Sequence, residues 1–183
     1  MWWVIIIETI AITIIGCLLH FAYEWSHENK FVAVFAAVNE STWEHVKLAL
    51  SGIFVCMLCD IWFLGNNENY WLARSMSFLV PIVVIPVFFY GYTNFVRHAV
   101  LPVDICCFVI AAFLSSLVFE LILQAPEIGF WGSLLSMFVS TVIIALYLLL
   151  TEFPLHNFLF RDPITHRYGF DAHLPHRERK GHK

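Results

Sequence analysis

The stretch from Phe130 to Thr151, FWGSLLSMFVSTVIIALYLLLT, runs for 22 residues without a charged side chain. At about 1.5 Å of rise per helical residue it is about 33 Å long, enough to cross a hydrocarbon core of about 30 Å. Four more apolar runs of similar length lie upstream, over roughly residues 2–22, 46–64, 75–95 and 101–123. In lipid a backbone must satisfy its own polar groups, so these runs are expected to be helices. The fold class is therefore an all-α integral membrane protein, a five-transmembrane-helix bundle. Composition agrees, because 60% of the 183 residues are hydrophobic and 13% are charged. That is more apolar surface than a soluble domain of this size can bury.

Eight residues, Phe31 to Val38, are apolar but too short to cross. Polar stretches flank them, so a short interfacial or re-entrant segment between the first two helices is predicted. Pro81 and Pro86 should bend the third span. Gly132, Ser136 and Ser140 recur every four residues in the fifth, a spacing of small side chains that allows close helix contact. The organisation is a transmembrane domain over residues 1–152 and a polar cytoplasmic tail over 153–183. Met1-Trp2-Trp3 lacks the basic start of a cleavable signal peptide, and the first span is expected to be retained as an anchor.

Five spans put the Glu24–Lys47 connection, the Arg97 connection and the tail on one side. That side carries Lys30, Lys47, Arg97 and the six tail cations, against Arg74 alone opposite, so nine of the ten Lys and Arg are on one face. The positive-inside rule makes that face cytoplasmic and the N-terminus external, in the cell membrane. The five cysteines all lie in apolar runs, which argues against a disulfide framework; Cys56-x-x-Cys59 is expected to be two small packed side chains.

Most of the residues able to do chemistry fall on the cytoplasmic face, where His27, His98, Asp104, Glu152, His156 and Asp162 are expected at one membrane level. His20 and Glu24 are four apart and share a helix face. Glu40, Glu44 and His45 cluster before and at the start of the second span, with Glu44 and His45 placed to flank a cleft. Ser41, three residues before Glu44, gives a capping-box pattern. Imidazoles and carboxylates at one depth are the ingredients of a metal site or an acid/base pair. Helix-end residues of these types also serve simply as caps or surface ion pairs. Glu24-x-x-His27 matches the motif of di-metal bundles, but its required second copy is missing. Glu8, Asp60 and Glu120 form a separate set in the outer halves of three spans; with no cation inside the apolar runs to pair them, a continuous ion pathway has little support.

Three stretches carry a resemblance: His20-Phe-Ala-Tyr-Glu-Trp-Ser26, Asn39-Glu-Ser-Thr-Trp-Glu-His-Val-Lys-Leu48 and Phe160-Arg-Asp-Pro-Ile-Thr-His-Arg-Tyr-Gly169. They resemble, nearly end to end, a family of small bacterial integral membrane proteins of unknown function, marked by N-E-S-x-W-E-H-x-K-L and D-P-x-T-x-x-Y-G. The resemblance implies that His20, Glu24, Asn39, Glu40, Trp43, Glu44, His45 and Asp162 belong to the family's motifs. The chain departs from the pattern at Leu155 and Phe158, where proline is expected, and at His27, where glycine is usual.

These observations predict a metal-assisted intramembrane enzyme acting on a lipid or other amphiphile. His20, Glu24 and His45 are the expected ligands of a divalent metal such as zinc, and Glu40 and Glu44 the expected catalytic carboxylates. Ser26 and Ser41 are poorer nucleophile candidates, Ser41 being a helix cap. The competing functions are non-catalytic binding or transport of a cation or small ligand, and a membrane scaffold. Expected partners are membrane lipid and an amphiphilic substrate, with no nucleic acid.

Overall fold

The computed structural model describes residues 2–173; the cations Arg177, Arg179, Lys180 and Lys183 of the predicted tail lie outside them. The chain is an all-α bundle whose five long helices are α1 (Trp2–Trp25), α3 (Thr42–Leu64), α4 (Tyr70–Val96), α5 (Leu101–Leu123) and α6 (Gly129–Glu152). Each has 23 to 27 residues and is apolar enough to cross a membrane. A four-residue helix, α2 (Lys30–Ala33), occupies the predicted re-entrant segment. A 3-10 turn follows at Gly169–Ala172.

α4 packs on α3, α5 and α6, while α1 packs on α3 and α5. The core seam runs through Ile12, Leu50, Ile53, Tyr70, Phe78, Ala111 and Phe119. α1 approaches closely because glycines stand at its contacts. A Cβ on Gly52 would lie 3.0 Å from the Ile12 Cα, and one on Gly16 would meet the Phe108 ring. Outward side chains such as Ile6, Ile10, Ile14 and Leu18 are exposed, as a lipid-facing helix requires. Exposed Trp2, Trp3, Trp62, Phe63 and Trp131 gather at one end of the bundle, and Trp25, Phe95 and Phe153 at the other. Aromatic residues at both helix ends mark the two interfaces of the bilayer.

Pro81 and Pro86 are accommodated within α4. Pro81 has no N–H for the Ser77 carbonyl one turn earlier, and the Ser115 hydroxyl of α5 donates to that carbonyl at 2.9 Å instead. Serines likewise join α4 to α6. Ser75 donates to the Ser136 carbonyl at 2.9 Å and lies 2.7 Å from the Ser140 hydroxyl. The close contact predicted for α6 thus rests on Ser136 and Ser140; a Cβ on Gly132 would meet only Ile128 of its own helix.

Arg74 is where structure and sequence expectation part. Trp71-Leu72-Ala73 precede it, and α4 begins at Tyr70, so Arg74 lies inside a span and is fully buried. It donates to Glu8 of α1 at 2.6 Å and to Asp60 of α3, and its guanidinium stacks 3.5 Å from the centre of the Phe119 ring. Tyr70 donates to the other Asp60 oxygen at 2.7 Å. Glu8 and Asp60 therefore share a cation that the apolar runs alone did not reveal, and the cluster ties α1, α3 and α4 together. Glu120 is engaged by Gln124 at 2.6 Å.

Removing one partner of a buried ion pair costs about 3–5 kcal/mol, and overpacking a tight helix contact about 1–3 kcal/mol. Arg74→Ala should therefore lower the melting temperature in detergent most, Ser136→Leu and Ser140→Leu less, and the outward Val142→Ala hardly at all. Thermal unfolding of the four purified variants orders them.

Candidate metal centre

The site is built by a chain reversal after α1. Glu28 N donates to the Tyr23 carbonyl at 2.9 Å and His27 N to the Glu24 carbonyl at 3.1 Å, closing the helix. His27 and Glu28 have φ of 54° and 61°, the left-handed geometry in which glycine is least strained. A glycine at 27, which the resemblance leads one to expect, would adopt this geometry without strain. Asn29 then caps α2, accepting from Phe31 N at 2.9 Å. Ala33, Ala36 and Val38 bury against Leu19, Ala22 and Tyr23, so the segment doubles back along the end of α1. It delivers Asn39 and Glu40 beside His20.

The start of α3 fixes the other half. Ser41 caps the helix, and its hydroxyl accepts from Glu44 N at 3.4 Å. The reciprocal half of the capping box is replaced: Asn39 Oδ1 accepts from Ser41 N at 2.8 Å, and the Glu44 carboxylate accepts from Val38 N at 2.9 Å. Glu44 also pairs with Lys47 at 2.7 Å. Lys47 is fully buried and donates to the Ala33 carbonyl at 2.9 Å and to Thr151 of α6 at 3.2 Å. Since successive helical residues are rotated by about 100°, turning Glu44 inward turns His45 aside toward Glu40.

His20, Glu40 and His45 each offer one ligand atom, and the three atoms lie within 4.8 Å of one another. Glu40 Oε2 is 4.0 Å from His20 Nε2 and 3.8 Å from His45 Nε2, and the two imidazole centres are 5.6 Å apart. These separations exceed hydrogen-bond length. Ligands on a tetrahedral ion with bonds of 2.0–2.1 Å stand about 3.3 Å apart, so the trio needs only a small contraction to hold one. His45 Nδ1 lies 3.0 Å from the Ser41 carbonyl. A carbonyl only accepts, so Nδ1 carries the hydrogen, and in a neutral imidazole Nε2, the atom facing Glu40, is then the one able to bind a metal, the arrangement that orients a metal-binding histidine. The side chains of His20 and Glu40 are 23% exposed and that of His45 32%, partly sheltered yet reachable.

Other expected site residues fall elsewhere. Glu24, half-buried one turn beyond His20, is not one of the three grouped residues. Glu44 is committed to Lys47 and Val38. Ser26 donates to the Tyr23 carbonyl at 2.9 Å, and Ser41 is occupied as the cap. His27 is exposed, His98 lies against the Val96 carbonyl, and His156 stacks on Tyr168. Asp104 accepts from Tyr92. Asp162 is buried and accepts from Glu40 N at 2.8 Å, a supporting contact that the motif hinted at only by its aspartate.

Residues 1–170 match DUF6512, a family of unknown function. The chain belongs to this family. No curated protein and no solved structure matches it. In this DUF6512 chain the stretches 39–48 and 160–169 meet: Trp43 stacks on Phe160 at 4.7 Å, and the Asn39 amide donates to the Gly169 carbonyl at 3.0 Å.

The two neighbouring glutamates should separate cleanly on mutation. Glu44→Gln leaves Lys47 buried without a counter-charge and should lower metal-free stability by about 3–5 kcal/mol. Glu40→Gln, at a quarter-exposed position, should change it by less than about 1 kcal/mol. Chemical or thermal unfolding of the two variants measures the difference.

Proposed function

We propose that this DUF6512 protein is a metal-assisted intramembrane enzyme, with His20, Glu40 and His45 holding a divalent metal such as zinc at the cytoplasmic membrane interface. The observation that carries the proposal is the convergence of three donor atoms within 4.8 Å, one of them on an imidazole oriented by a backbone carbonyl. Two imidazoles and one carboxylate leave a tetrahedral ion one open position, the pattern of catalytic zinc sites. Such an ion would supply Lewis acidity and an activated water there. The protein's own residues set the position of the ligands: Ser41 fixes His45, α1 carries His20, and the return segment carries Glu40.

The substrate class follows from depth. His20 is five residues inside Trp25, about 7.5 Å below the aromatic level of that interface at 1.5 Å per residue. A reactant meeting the site there keeps an apolar part in lipid, so a lipid or other amphiphile fits. Orientation rests on charge. Of the nine cations assigned to this side by sequence, Lys47 is buried and paired, which leaves eight; Arg74, the one assigned opposite, is buried too. Eight against none supports a cytoplasmic site and C-terminus, with the N-terminus outside the cell membrane.

Elemental analysis of protein purified without chelator should give about one zinc per chain, lost in His20→Ala, His45→Ala and Glu40→Gln while those variants still fold. Ligands bind deprotonated, so protons compete with metal. Occupancy should therefore fall on acidification. Metal-free wild-type protein would favour the scaffold reading; metal without turnover of any amphiphile would favour binding or transport. For topology, a C-terminal reporter should be active only in the cytoplasm, and periplasmic activity would reverse the orientation.

A further inference from the structure

The segment after α6 is a strap across the metal centre's ligand loop. Leu159 accepts from Trp43 N at 3.0 Å, Phe160 stacks on the Trp43 ring, Gly169 accepts from Asn39, and His173 Nδ1 lies 2.7 Å from the Val38 carbonyl. Asp162 of the strap reaches a ligand residue directly, through the backbone of Glu40, 122 positions away in the chain. Asp162 is 2% exposed. Its Oδ2 accepts from Glu40 N at 2.8 Å, while Oδ1 accepts from Ile164 N at 2.9 Å, Thr165 N at 2.6 Å and the Thr165 hydroxyl at 3.0 Å. One oxygen builds the strap's own turn and the other reaches the ligand loop.

We infer that Asp162 is a positioning residue for the metal centre, and that metal binding and docking of the strap are thermodynamically coupled through its contact with Glu40 N. The inference rests on the metal-centre reading above. Glu40 precedes the first turn of α3, so no intrahelical bond fixes its backbone. The entropy of ordering that backbone would otherwise be lost when metal binds. A carboxylate held by three donors on the strap restricts it beforehand. Linkage makes the effect reciprocal: whatever the strap contributes to metal affinity, bound metal returns as strap stability.

Asp162→Asn isolates the contact. The amide oxygen can keep the Ile164 and Thr165 donors, but the NH2 group then faces Glu40 N–H, donor against donor. Zinc titrated into the detergent-purified full chain against a competing chelator should bind Asp162→Asn about 10- to 100-fold more weakly than wild type, the usual effect of removing an outer support. Metal-free melting should stay within a few degrees, and the zinc-induced rise in melting temperature should shrink. Equal zinc affinity in the two proteins overturns the inference and leaves the metal centre standing. Absence of zinc binding in wild type overturns both. Should Asp162→Asn not fold, wild-type hydrogen exchange decides: zinc should slow exchange in peptides covering 38–44 and also 160–168, with neither effect in His45→Ala. Protection confined to 38–44 would show that the strap is uncoupled.

Discussion

The buried pair of Glu44 and Lys47 is the constraint on which the half of the bundle around His20, Glu40 and His45 depends. Neither charge is there for attraction alone, because taking two ions out of water costs about as much as their pairing returns. Their value lies in the backbone they satisfy. The return segment between α1 and α3 is mostly not helical, and at membrane depth its polar groups need partners within the protein. Glu44 takes Val38 N, and Lys47 takes the Ala33 carbonyl and reaches across to Thr151 of α6. One ion pair thereby closes the loop, joins it to α6, and forces His45 to face Glu40.

The opposite end of the bundle uses the same device for another purpose. Arg74 gathers Glu8 and Asp60 from two other helices, under the face of Phe119. α1 has a broad lipid-facing surface and touches its neighbours through a narrow seam made possible by Gly16 and Gly52. Ionic contact near its N-terminal end and the return segment near its C-terminal end fix its height and rotation. His20 sits on that helix, so its position relative to Glu40 and His45 depends on both anchors.

Apolar run length made the five helices legible in sequence, because the bilayer imposes a single length scale on them. The return segment was legible for the converse reason, being apolar and too short. Arg74 was not, since hydropathy places a cation outside a span and only helix geometry brings it inside; the acidic residues left without a partner in three spans were the available sign. Within the site, sequence nominated His20, Glu24 and His45 as ligands and Glu40 with Glu44 as catalytic carboxylates, whereas the structure groups Glu40, not Glu24, with the two imidazoles. Spacing treats Glu40 and Glu44 alike, and only the depth of Lys47 distinguishes the carboxylate that holds the loop from the one that faces the imidazoles. Asp162 was visible as a motif residue, yet its pairing with Glu40 is a contact across nearly the whole chain, which local pattern cannot supply.

If His20, Glu40 and His45 hold the proposed metal, the depth of the site also explains why they are split among a helix end, a loop and a helix start. Ligands on one transmembrane helix would place an ion in hydrocarbon, where charge is costly to hold. Ligands on the surface would compete with bulk water at little gain in positioning. A loop that re-enters and is pinned by the 159–173 strap offers an intermediate environment: side chains a quarter to a third exposed, and lipid alongside at exposed Phe21 and Trp25, whose rings stack at 5.7 Å beside His20. An amphiphile would reach such a centre along α1 without leaving the bilayer, while water would reach it from the loop side. The irregular backbone is thus what lets one site meet both phases.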